Sequence, residues 1–322
     1  MGMIRSLVAP ASCTQTQDFV LRRNLQGEKL EAAYAEGEVM WIDVVNPSSD
    51  EIDWIGRFFD LSPSVMEDLY RVDRRPSLLV YPAYIFLSLF EPHVHQRKAS
   101  GKEIHCIIGD RYFLTVRADD TATVDEAYDR AAQDPGIWSR GLEYFLYLTC
   151  QNAIDAYYPL LDRMSNQLNT MEEQMMNGGV KQKNPRQSVY NVKQQLINVR
   201  QMIAPQREVL SNLLGEARLA DDDIRDLFRH LYERLLRVYD LIDAQRDLSS
   251  DVLDMMENHE SKRMVDAVNR LTIFSMIFLP LTFFSGLFEL NFVTTPEPLA
   301  LPFSGRIMFA IVLTLMIASA GG

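Results

Sequence analysis

The sequence predicts an α+β membrane protein: a soluble mixed α/β module, then long helices, then two apolar helices at the C-terminal end. Three observations carry that expectation. Charge is confined to the first 270 of the 322 residues, which hold 31 of the 32 Lys and Arg and 42 of the 44 Asp and Glu. Near Gly141 the apolar residues change from short β-rich runs to helical spacing. Finally, the 18 residues from Leu271 to Phe288 contain no charge.

The first 270 residues carry a net charge of −11, which argues against nucleic acid, because phosphates demand clustered Lys and Arg. Cations suit such a surface better, although acidity also serves solubility alone. Cys13, Cys106 and Cys150 lack Cys-x-x-Cys spacing and read as reduced thiols in a cytosol. The stretch opening Met1-Gly2-Met3-Ile4-Arg5 has no apolar run of signal-peptide length, so the soluble module should stay where it is made.

Residues 1–140 form the expected α/β domain. Its clearest strand pair is Tyr84 to Phe90 with Ile104 to Val116, the latter broken at Gly109-Asp110, and Arg97 to Lys102 as the polar turn. Ser48-Ser49-Asp50-Glu51 and Ser62-Pro63-Ser64-Val65 read as helix starts. Residues 141–220 form a helical hairpin. Its first arm carries Leu142, Phe145, Leu146, Thr149, Ala153, Ala156, Leu160 and Met164, and breaks at Asn177-Gly178-Gly179. The second carries Val189, Val192, Leu196, Val199 and Ile203, tolerates Pro205 and runs to about Arg218.

Asp221-Asp222-Asp223 then cap a third helix, the stalk of residues 221–270, and oppose its dipole. No Gly or Pro interrupts it before Pro280, so it continues into the apolar run. About 68 residues at ~1.5 Å each would reach roughly 100 Å. Such a rod needs lateral bracing, from the preceding helices or from copies of itself; the alternative is a break near Asn258-His259 with a separate helix after it.

The membrane part divides into a first span (271–290), a loop (291–306) and a second span (307–322). The second span is shorter than the ~20 residues a crossing needs and is expected to be incomplete as it stands. Lys262, Arg263 and Arg270 precede the first span, against Arg306 alone in the loop, which places the soluble module in the cytoplasm. Val265, Val268, Thr272, Ser275, Leu279, Thr282, Gly286 and Glu289 fall three or four apart and share one helix face. Small and hydroxyl residues can simply pack helices together. Glu289 favours an ion path instead, because an ionisable group there needs water, a partner or an ion. Rotational symmetry would make it a carboxylate ring. The stripe continues through Ser261, Asn258, Asp254 and Asp251, so acids at both ends would concentrate cations, while Leu279, Leu271, Val268 and Val265 could close by dewetting.

The run from Leu271 to Gly286, LTIFSMIFLPLTFFSG, resembles the first transmembrane helix of the CorA family of divalent-metal channels. Supporting segments are Trp41-Ile42-Asp43 with Pro47 and Glu51, Arg75-Pro76, Phe113-Leu114-Thr115-Val116-Arg117, and Arg200 through Ala204-Pro205 to Leu210. The resemblance covers nearly the whole chain from about residue 38. It implies a homopentamer in the inner (cytoplasmic) membrane, with a cytoplasmic αβα sandwich domain, stalk helices lining a funnel, and first spans ringing the pore. It also implies passive movement of Mg2+, Co2+, Ni2+ or Zn2+, gated by intracellular divalent metal. The family's Gly-Met-Asn signature is replaced here by Glu289-Leu290-Asn291, which makes Asn291 and Glu289 the expected selectivity mouth and adds a negative ring. Val265 and Val268 stand where the family has Asn and Met, so the gate should be more apolar.

The same resemblance implies regulatory metal ions between stalk and neighbouring subunit. His230 stands at a stalk position where many members carry an acid, with Asp226 one turn before it and Glu233 nearby. That spacing suits a metal, and equally an exposed acid–histidine pair. His93 and His95 share a face if extended, with Cys106 expected opposite His93. Mg2+ is the family default as transported and regulatory ion, Zn2+ the alternative. A non-conducting scaffold or sensor is the rival reading, while no Gly-rich phosphate loop or nucleophile–base motif suggests an enzyme.

Overall fold

The computed structural model describes residues 2–14, 19–71, 75–95, 98–118, 121–176, 184–216 and 221–291, together with 310, 313 and 314. Two compact units result, Met1–Leu253 and Asp254–Gly322.

The first unit is built on a seven-stranded sheet. Its strands are β1 (Met3–Ala9), β2 (Arg22–Arg23), β3 (Val39–Val45), β4 (Leu78–Val80), β5 (Tyr84–His95), β6 (Lys98–Gly109) and β7 (Tyr112–Arg117), ordered β2-β1-β3-β7-β6-β5-β4. Among the described strands, β3 and β7 are the pair that runs parallel, with Asp43 opposite Thr115 and Val45 opposite Arg117. One sheet face, carrying Ile42, Val44, Phe86, Ile107, Leu114 and Val116, packs on helices α1 (Glu28–Ala35), α2 (Ser49–Phe58) and α3 (Pro63–Tyr70). On the other face Trp41 and Phe113 meet Phe145 of α5 (Leu142–Asp155), and Trp41 also meets Tyr128 of α4 (Ala122–Gln133). This is the αβα sandwich.

Both helix starts read from the sequence form as local chemistry dictates. Ser48 and Glu51 make a reciprocal capping box, and Ser62 caps α3 with Pro63 just inside it. Residues 98–102 of the expected Arg97–Lys102 turn belong to strand β6. His95 already pairs with Lys98, and Gly101 lies opposite Pro92. A Cβ at Gly101 would come within 2.8 Å of the Phe90 ring, so glycine lets that ring lie across the ladder. The first arm of the expected hairpin is two helices, α5 and α6 (Tyr157–Met176), separated at Ala156. The Asn177-Gly178-Gly179 break lies outside the described residues. The second arm, α7 (Pro185–Leu214), accommodates Pro205 and ends before Arg218.

Helix α8 (Asp222–Asn291) runs 70 residues without interruption at Asn258-His259 or Pro280. Ile224, Phe228, Leu231, Leu235, Val238, Ile242 and Val252 are buried at alternating three- and four-residue steps, with Gln245 and Ser249 completing the row. Earlier helices brace that row. Gln245 donates to the Leu161 carbonyl (3.1 Å), Lys193 to Ser250 (2.9 Å) and Arg200 to Asp243 (3.0 Å), while Arg234 bonds Asp155.

Candidate ion pathway

Beyond Asp254, α8 changes character. Val265, Val268, Leu271 and Leu279 are 57, 55, 67 and 73% exposed, and so are most residues around the helix, including Phe274, Met276, Phe278 and Phe283. Among the described residues α8 is the helix long and apolar enough to cross a membrane, and its apolar window is unburied. A helix apolar on all sides is stable in lipid or against other apolar helices.

One face is chemically distinct. Thr272 donates its hydroxyl proton to the Val268 carbonyl (2.9 Å), and Thr282 donates to that of Phe278 (2.8 Å). With the proton committed to the helix, each oxygen keeps acceptor lone pairs for an outside group. That is the polarity a cation path requires. Pro280 has no N–H, so the Met276 carbonyl loses its helical donor and adds another acceptor at this depth. At Gly286 no described residue lies within 4 Å of a would-be Cβ. Toward the other end Asp251, Asp254 and Asn258 are exposed while Val252 is buried, which turns the acids away from the packed row.

Glu289 and Asn291 lie in the last described turn of α8, but their side chains lie outside the described residues, as does that of Ser285. The loop after Asn291 and the second span lie outside them too, apart from helical Ala310, Leu313 and Thr314.

The helix places Asp226 and His230 one turn apart. Asp226 pairs with Arg229 (2.5 Å), whereas His230 Nδ1 lies 3.6 Å from Glu233 and its side chain is 74% exposed. On β5, His93 is opposite Ser100 and His95 opposite Lys98. Cys106 is opposite Leu87, not His93 as expected, because pairing continues out to His95 and Lys98 and so sets the ladder in a different register. Burial pushes the Cys106 and Cys150 thiols well above their ordinary values, which makes both poor thiolate ligands. Among the described residues no three His, Cys, Asp or Glu side chains gather as a metal cluster.

Residues 36–322 match the family model described as CorA-like Mg2+ transporter protein. The chain belongs to that family. Members of the CorA-like family are ion transporters of the cell membrane. The chain is 26% identical over 264 residues to the cobalt/magnesium transport protein CorA of Thermotoga maritima, covering 80% of this chain and 74% of that one. It is also 23% identical over 290 residues to the zinc transport protein ZntB of Klebsiella pneumoniae, covering 88 and 84%. The solved CorA magnesium transporter of Methanocaldococcus jannaschii superposes with a TM-score of 0.77 at 17% identity, over 98% of this chain and 94% of that one, and confirms the fold.

The CorA-like segments around Asp43 and Arg117 serve the scaffold. Arg117 bonds Asp43 twice (2.9 and 3.3 Å) and Asp125 once (2.7 Å), and Arg5 bonds the same two carboxylates at 2.6 and 2.7 Å. Asp43 also accepts from Thr115. An acid on one apolar strand and a base on another were the available sequence sign of this buried network, but their pairing needs the fold.

Proposed function

We propose that this chain forms a passive divalent-cation channel of the cytoplasmic membrane, assembled as a homopentamer with its soluble unit in the cytoplasm and gated by intracellular divalent metal. The carrying observation is the single helix α8, which presents exposed acids at Asp251 and Asp254, apolar positions from Val265 to Leu279 and threonine acceptors between, and ends on Glu289-Leu290-Asn291. Lys262, Arg263 and Arg270 support the cytoplasmic placement. Asn291 and Glu289 receive the ion. Thr282, Ser275 and Thr272 line its path past Gly286, and Leu279, Leu271, Val268 and Val265 constrict it.

Mg2+ is the first assignment, since the stripe offers oxygen only and Mg2+ keeps much of its water. Zn2+ is the second reading, supported by the likeness to a zinc transport protein and by His230, for zinc accepts imidazole. Asp226 and His230, and His93 and His95, are the candidate regulatory ligands from which cytosolic metal would hold the pore closed.

Flux into proteoliposomes with Mg2+, Zn2+, Co2+ and Ni2+ side by side tests this. Mg2+ should cross fastest, and Glu289→Ala with Asn291→Ala should lower flux at least about tenfold, the loss expected for removing about 1.4 kcal/mol of ion binding. Unchanged Mg2+ flux in that double variant would sink the pore assignment. No flux of any ion from an intact oligomer would favour a scaffold or sensor.

A further inference from the structure

The two segments Arg75-Pro76 and Arg200 to Leu210 play no part in the transport reading, yet they converge on one cavity of 790 Å3 in the first unit. Four arginines line it: Arg75 from the segment before β4, Arg200 and Arg207 two turns apart on α7, and Arg246 from α8. The one acid in the lining is Glu208. In a chain of net charge −12, such a gathering of cations is not a by-product of composition.

It is only partly neutralised from within. Asp243 serves two guanidiniums at once, Arg200 at 3.0 Å and Arg246 at 3.4 Å, and Asp247 adds a second contact to Arg246 at 3.2 Å. Among the described residues no carboxylate forms an ion pair with Arg75 or Arg207. Arg207 instead lies over the Tyr239 ring at 5.1 Å, which Arg200 also approaches, at 4.9 Å. Guanidiniums held together this way repel one another until an anion arrives, and their planar forks match phosphate oxygens two at a time. Inorganic phosphate would fill a small part of this volume, which lies in the range of small-molecule sites. Ile197, Ala204 and Pro205 supply an apolar wall beside the charged one, suited to a planar base.

We propose that this cavity is a binding site for a nucleoside polyphosphate, held by its phosphates on Arg75 and Arg207 with help from Arg200 and Arg246. The site needs no glycine-rich loop because side-chain guanidiniums replace backbone amides. A ligand there bridges α7 and α8, the helix that continues into the span.

The test is calorimetric titration of the full chain in detergent with ATP, ADP, adenosine and tripolyphosphate, in EDTA so that chelated Mg2+ does not contribute. ATP should bind more tightly than tripolyphosphate, with adenosine much weaker, and higher salt should weaken ATP. Arg75→Gln with Arg207→Gln should lower ATP affinity at least about tenfold, since charge-assisted bonds are lost. Among the described residues these two make no ion pair, and an unchanged melting temperature would verify the fold. Glu208→Gln should tighten ATP severalfold, a gain that misfolding cannot imitate. Absent ATP binding, or binding indifferent to all three substitutions, overturns the site. Tripolyphosphate binding as tightly as ATP overturns the nucleoside assignment and makes inorganic polyphosphate the ligand.

Discussion

His105 shows how one residue can tie the soluble unit to pH. It is 6% exposed on β6, its Nδ1 has no hydrogen-bond partner among the described residues, and its Nε2 is 3.7 Å from Glu103. Burial lowers its pKa from 6.5 to about 4. Between those values the unfolded chain takes up a proton that the folded chain refuses. Stability is therefore full above pH 6.5 and declines as pH falls toward 4, by about 3 kcal/mol from this group. Urea midpoints at pH 7 and 4.5 should show the decline, and His105→Leu should flatten it. Asp125 acts lower on the scale. Burial alone would raise its pKa, but the hydrogen bonds and charges of Arg117 and Arg5 outweigh that and hold it below the ordinary carboxylate value. Its contribution is present above about pH 4 and is lost as pH drops through the lowered pKa. Arg117 itself is fully buried between Asp43 and Asp125, so Arg117→Met should destabilise the unit by about 3 kcal/mol, because the buried Asp43 carboxylate loses one of its two arginine partners and keeps only Arg5. A loss of less than 1 kcal/mol in urea unfolding would show that the network is solvated.

At the scale of elements, α8 carries both the clearest expectation and the sharpest test. Val268 and Leu279 are apolar positions on a face otherwise bearing Thr272, Ser275 and Thr282. If they close the path by dewetting, Val268→Asn or Leu279→Asn should hydrate it and raise Mg2+ flux severalfold in proteoliposomes. An unchanged or lower rate would remove them from the gate. α8 was legible because its cause is local: an unbroken run without Gly or Pro, caps at Asp221 to Asp223, and a charge-free end. Ser48, Ser62 and Pro63 were legible for the same reason. Strand β1 was not, since Met3–Ala9 is a short run that becomes a strand by pairing with β3. The break at Ala156 was equally hidden, as apolar spacing continues through it. Cys106 was misplaced because register depends on how far pairing extends, and Lys98 to Lys102, read as a polar loop, belong to strand β6. Of the candidate site, the helix face follows from spacing, whereas the arginine cavity joins Arg75 to Arg246 across most of the chain and no local pattern announces it.

At the scale of the whole molecule, the exposed apolar surface of α8 has to be covered, and its two faces ask for different cover. Phe274 and Phe278, stacked at 6.2 Å, suit lipid. Thr272, Ser275, Thr282 and Glu289 do not, because hydroxyls and above all a carboxylate are costly against hydrocarbon. A closed ring of copies satisfies both, turning the oxygen stripe inward and the aromatic rows outward. If the ring is the homopentamer proposed above, native mass spectrometry in detergent should find five chains of 37.0 kDa. Such a ring gathers like charges at Glu289, Asp254 and Asp251, so a divalent ion should stabilise the assembly more than it would a lone subunit. A ligand present at a hundred times its dissociation constant adds about 2.7 kcal/mol. Chelation by EDTA should accordingly lower the melting temperature of the oligomer by several degrees, and Mg2+ should restore it. Two variants would apportion the effect if the proposed sites hold. Asp226→Ala with His230→Ala should then remove a share due to regulatory ions and leave flux intact at low internal metal, whereas Glu289→Ala should remove a share due to the mouth and reduce flux with it. A melting temperature indifferent to EDTA in the unaltered chain would mean that the ring holds no divalent ion, and the charge-gathering argument for its assembly would fall.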